Sequence, residues 1–181
     1  MPVIRGRSST RPLMAERRAE LKGRLRRELD GEGAPGGPLI FEIPLKQSDK
    51  LDVMVVWDEF EGVSVEDRDE IILDAYRDRH DRISMAMGVT WREVSEQNLL
   101  PYMVISNTEW LQHLGEGSSV PPIDTSELRE AKLREGGIER GDGVILLQFP
   151  TRAMAEEAQA RLAAKMPLAR WSIARTLDPI P

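Results

Sequence analysis

One short run limits what this chain can fold into: Gly31-Glu32-Gly33-Ala34-Pro35-Gly36-Gly37. Four glycines and a proline in succession let neither a helix nor a strand pass through. Structure before the run and structure after it must therefore form separately. The two sides also differ in charge. Residues 1–27 hold nine Lys/Arg against two Glu, a balance of +7. The remainder holds sixteen basic against twenty-nine acidic side chains, or −13, a split concealed in the overall −6. A basic arm on an acidic body is the first expectation.

Within the arm, residues 1–12 are rich in Arg, Ser and Pro and read as irregular. Residues 13–30 are good helix formers. Leu21, Leu25 and Leu29 fall four apart and make a narrow apolar stripe. Arg17, Arg24 and Arg27 lie away from it, and Arg18 sits at its edge. These four are the candidate basic binding residues. The arm's composition approaches that of a transit peptide, but the periodicity reads as a helix of the protein itself. The start shows no apolar stretch of a secretory signal.

After Pro38, residues 39–45 and 51–57 read as strands joined by a tight turn, hence an antiparallel hairpin. Residues 58–62 form an exit loop. Ser64 with Asp67 signals a helix start. Ile71, Ile72, Ala75 and Tyr76 give that helix a 3.6-residue period, expected to run to about Ile83 and to end by Gly88. Thr90 and Glu93 open a shorter helix, and Pro101 stops it before a strand over 102–106. A helical turn is expected through Trp110, Leu111 and Leu114, then a loop over 115–125. A charged helix follows over 126–135, closed by Gly136-Gly137. A strand over 144–149, a helix from Thr151 carrying Met154, Ala158, Leu162 and Met166, and a strand from Trp171 complete the order. The fold class expected is α+β: a small mixed or antiparallel sheet of about five strands with helices packed on it, preceded by a basic N-terminal helix. The domain division expected is an arm at 1–30, a linker at 31–37 and a compact domain at 38–181, with a sub-boundary at 115–125.

Cysteine is absent from all 181 residues. Disulfides, thiolate zinc sites, cysteine nucleophiles and cysteine-held iron–sulfur clusters are excluded, and a cytoplasmic location is the default. The two histidines, His80 and His113, stand in no two-ligand spacing, so no metal site is expected. Phosphate-loop patterns are missing: Gly31, Gly33 and Gly36 match a nucleotide-binding spacing only as letters, following a helix and enclosing Pro35. No cofactor is expected. No apolar run nears the roughly 18 residues of a membrane span, so no membrane partner is expected.

Two acidic groupings remain. Asp58, Glu59 and Glu61 sit where a strand passes into a helix, a position from which carboxylates serve as acid and base or hold a hard cation. They are the candidate catalytic residues. The plainer reading, a solvated loop beside a helix N-terminus where the dipole favours acids, is preferred. Asp67, Glu70, Asp74 and Asp78 recur at spacings of three and four and share one helix face. They are candidates for docking something basic.

The stretch Val55-Val56-Trp57-Asp58-Glu59-Phe60-Glu61-Gly62-Val63-Ser64, followed by Arg68, resembles the central segment of the BolA-like family. There a strand enters a Phe-x-Gly turn and then a helix bearing an Arg-His pair. The order helix–hairpin–helix–strand over residues 13–107 is similar too, which implies a related local fold. Asp69 stands where the family has its histidine, so the iron–sulfur partnership with glutaredoxins associated with that histidine is not implied. Residues 108–181 have no counterpart.

Three functions are compatible with these observations. The first is a non-catalytic interaction or regulatory module with a protein partner, in which the basic arm reaches that partner or folds back onto the acidic helix. The second is a small hydrolase-like or metal-assisted enzyme using Asp58, Glu59 and Glu61. The third is a nucleic-acid-associated protein whose arginines contact phosphates.

Overall fold

The computed structural model describes residues 15–33, 37–106, 125–139 and 144–175, with Asp78 and Thr125 described by backbone alone. The expected irregular start, the helical turn at 108–114 and most of the 115–125 loop lie outside these residues.

Helix α1 (Ala15–Leu29) buries Leu21 and Leu25, two of the three stripe leucines. Strands β1 (Leu39–Pro44) and β2 (Leu51–Val56) pair antiparallel, with Phe41 opposite Met54. Helix α2 (Val65–Tyr76) starts as its capping signal predicts: the Ser64 Oγ accepts from the Asp67 N–H at 3.2 Å. Strand β3 (Ile83–Val89) then pairs parallel with β2, giving a mixed sheet in the order β1-β2-β3.

The chain departs here from the sequence expectation. Helix α2 stops at Tyr76 instead of continuing to about Ile83. The next six residues, Arg77-Asp78-Arg79-His80-Asp81-Arg82, include no apolar side chain, so a longer helix would have had no face to bury. Arg77 turns out of the helix at φ 44°, and a tight 3-10 turn leads into β3. Strand β3 reads Ile-Ser-Met-Ala-Met-Gly-Val, rich in residues neutral or favourable to helix. Pairing with the apolar β2 overrides that preference.

Two compact units compose the chain, and they divide between Val94 and Ser95. The expected division placed an arm at 1–30, a linker at 31–37 and a sub-boundary at 115–125. The arm belongs to the first unit because Leu21 and Leu25, with no exposed surface, share one apolar cluster with Val53, Val55, Phe60, Ile71 and Ile72.

Helix α3 (Trp91–Gln97) follows β3, its start fixed by a reciprocal capping pair. The Glu93 carboxylate accepts from the Thr90 N–H at 2.8 Å, and the Thr90 Oγ1 accepts from the Glu93 N–H at 3.3 Å.

In the second unit, β4 (Tyr102–Ser106) lies between β7 (Gln148–Phe149) and β8 (Trp171–Arg175), antiparallel to both. Helix α4 (Thr125–Arg134) ends at Gly136, whose φ is 89°, and leads to the short pair β5 (Ile138–Glu139) and β6 (Ile145–Leu146). Helix α5 (Arg152–Lys165) is capped by Thr151 and buries Ala155, Ala158 and Leu162. The expected strand over 144–149 is two short ladders, β6 and β7, with Leu147 between them accepting from the Val104 N–H at 2.9 Å. The α+β class and the N-terminal helix stand, while the strands among the described residues are shared by three small sheets rather than gathered in one.

Candidate functional site

The exit loop after β2 is built around Phe60. Its ring is fully buried and meets Trp57 edge-on at 5.4 Å between centroids. Three backbone bonds, from the Phe60, Glu61 and Val63 N–H groups, wind the loop into a tight turn. Gly62 closes it at φ 74°, a conformation that disfavours any side chain. Phe60 therefore points inward while Asp58, Glu59 and Glu61 line an open cleft of about 470 Å³, together with Arg17, Gly37, Trp57 and Trp91.

Each cleft carboxylate already has a partner. Asp58 accepts from the Trp91 N–H at 3.1 Å and so caps the first turn of α3. Glu59 accepts from Arg17 and, at 3.0 Å, from Arg24. Those two hydrogen bonds hold its carboxyl below the ordinary carboxylate range. Arg24 also lies over the Trp57 ring, 4.8 Å from its centroid. Glu61 pairs with Arg92 at 2.9 Å in solvent. A general acid near neutral pH needs a raised carboxyl, and Glu59 is shifted the other way.

The second candidate grouping is brought face to face with the arm. Arg18 pairs with Glu70 and stands 3.8 Å from Asp67. Lys22 stands 3.8 Å from Asp74. Arg26 donates to the Ala75 carbonyl at 3.3 Å, near the end of α2. Of the basic candidates, Arg17, Arg18 and Arg24 are thus engaged by carboxylates of their own chain. Arg27 is exposed, and no ion pair is recorded for it among the described residues. Asp67, Glu70 and Asp74 lie along the α1 side of α2, whereas the Asp78 side chain lies outside the described residues. Lys22, which sequence reasoning passed over, completes the row one turn beyond Arg18.

Arg68 was also missed as a structural centre. It is 6% exposed, donates to the carbonyls of Val63 at 2.9 Å and Gly88 at 3.1 Å, and pairs with Glu93 at 2.6 Å. Burial alone would raise Glu93. Hydrogen bonds from Arg68 and the Thr90 backbone outweigh it and hold the carboxyl low. Gly88 is required here, because a Cβ at that position would sit 2.7 Å from the Arg68 Cβ. Next to it, Asp69 is pushed up by burial, only partly offset by a hydrogen bond from the Gly88 backbone, and its Oδ1 lacks a hydrogen-bond partner. The sequence signals for this junction were the Thr90/Glu93 spacing and a single arginine on the apolar side of α2.

Among the described residues, no group of three or more His, Asp or Glu is placed to hold a metal ion. His80 is exposed, its Nδ1 within 2.6 Å of the Arg77 carbonyl, and His113 lies outside the described residues. No described helix is long and apolar enough to cross a membrane.

Fold and site together define an α+β protein with a basic helix laid on an acidic one. No family model, curated protein or solved structure matches the chain.

Proposed function

We propose that this chain is a non-catalytic protein-interaction module of the cytoplasm, with α2 as a dock for a basic amphipathic helix and α1 as its resident occupant. One observation carries the reading: α1 sets a leucine seam against the α2 core while Arg18 and Lys22 meet Asp67, Glu70 and Asp74 along its flank. That is the helix-in-groove mode of recognition, with apolar anchors four apart and charges that set register. The engaged carboxylates of the cleft weigh against the enzymatic reading. The engaged Arg17, Arg18 and Arg24 weigh against a phosphate-binding arm.

Energetics favour the seam over the charges. Burying a leucine is worth about 1.5–3 kcal/mol. Exposed ion pairs are worth about 0–1 kcal/mol each. Replacing residues 34–36 by a protease site and cutting there should leave the α1 segment bound without a covalent link. A synthetic peptide of residues 13–33 should then replace it. A cut protein that unfolds when the segment leaves, or that never accepts the fresh peptide, contradicts the proposal.

The cleft lined by Trp57, Trp91 and the three carboxylates is the observation that favours the second, enzymatic reading. Glu59→Gln should leave any hydrolytic activity of the purified chain unchanged under the interaction reading. Abolition of a robust activity would favour the enzyme.

A further inference from the structure

We infer that α1 is exchangeable between copies, so that the external ligand of the α2 dock is α1 of a second copy of this chain. The inference rests on the reading of α2 as a dock and names its partner.

Three features lead to it. First, every copy carries both halves of a complementary pair, the leucines and cations of α1 and the acidic face of α2. Exchange reproduces each existing contact and needs no new surface. Second, the connection between α1 and β1 is permissive. The helix ends with Gly31 at φ 79°, and the chain to Leu39 contains three further glycines. Residues 30–38, fully extended, span about 30 Å, enough to reach another molecule. Third, the attachment is narrow. Only Leu21, Leu25 and Leu29 of α1 enter the apolar cluster. Of the three carboxylates facing Arg18 and Lys22, two remain half exposed, Glu70 at 59% and Asp74 at 50%, and Asp67 is 24% exposed.

The tether also sets the balance between the two states. A connection this short and glycine-rich in sequence holds α1 near its own α2 at an effective concentration of about millimolar. Micromolar protein is therefore monomeric. Exchange grows as concentration approaches the millimolar range, or when the connection is too short to fold back.

The absence of cysteine makes the test direct. Copies carrying Lys22→Cys are mixed with copies carrying Asp74→Cys at high concentration and oxidised slowly. Exchange predicts that the mixed disulfide exceeds either like-with-like product at least several-fold. Statistical yields of the three products overturn it. In parallel, the full chain lacking residues 32–36 is run on size exclusion with light scattering. A dimer at micromolar concentration supports exchange, and a folded monomer opposes it. If that variant fails to fold, the disulfide result decides alone. If fresh 13–33 peptide docks on the cut protein while copies never exchange, the exchange falls and the dock stands. If the peptide fails as well, both fall.

Discussion

Arginine meets carboxylate in two places on α2, and the two have little else in common. Along its outer side, Arg18 reaches Glu70 with both groups in solvent, at 32% and 59% exposure. On its inner side, Arg68 reaches Glu93 at 7% and 24%, with two backbone carbonyls sharing the same guanidinium. A tally of charges ranks the outer row higher, because it has more members. Burial reverses the ranking. A buried guanidinium cannot be left without its acceptors, whereas an exposed one exchanges a carboxylate for water at small cost. The inner junction therefore locks β3 and α3 to α2, while the outer row only guides α1 into register.

The comparison breaks first at Arg68. Arg68→Ala strands the Glu93 carboxylate and the Val63 and Gly88 carbonyls, and it should cost about 3–5 kcal/mol in urea unfolding. A loss under 1 kcal/mol would mean that the junction relaxes without it. Next in size is the seam of α1. Leu25→Ala should cost about 2–5 kcal/mol by the same measurement, since it removes a fully buried side chain.

Acid separates the two sides further. Glu93 has a folded pKa below its ordinary value near 4.5, so its contribution is complete above that value and is lost as pH falls through the folded pKa. Glu93→Gln should flatten the acid limb of a stability-against-pH curve. Asp69 has the opposite sign: its carboxyl is raised, so ionisation opposes folding at neutral pH. Asp69→Asn should therefore leave stability at pH 7 unchanged or higher. The smallest effects belong to the outer row. Glu70→Gln and Asp74→Asn should each change unfolding free energy by under about 1 kcal/mol, fading further in high salt.

Much of this architecture was legible in residue order. The Ser64/Asp67, Thr90/Glu93 and Thr151 signals marked three helix starts, because capping is local chemistry. The stripe Leu21-Leu25-Leu29 and the acidic row on α2 were each visible, and folding back of the arm was among the sequence readings. Strand β3 was hidden because Met and Ala are neutral or helix-favouring, and its pairing with β2 is set by contacts remote in sequence. Glycine content reports backbone freedom alone, whereas Leu21 and Leu25 decide where α1 packs. In the candidate cleft, sequence located Asp58, Glu59 and Glu61. It gave no means of finding that Arg17 and Arg24 reach Glu59 from α1, or that Trp91 lines the same cleft.

The central claim is that α1 is an occupant of α2 rather than a permanent part of its core. Native-state amide hydrogen exchange across α1 and α2 tests it most directly, since partial opening and global unfolding give separate protection levels. The account predicts that the α1 amides exchange together, at a free energy below that of Ile71, Ile72 and Ala75 in α2, and that Leu25→Ala lowers the α1 value further. Equal protection of α1 and α2, both matching global unfolding, would contradict it.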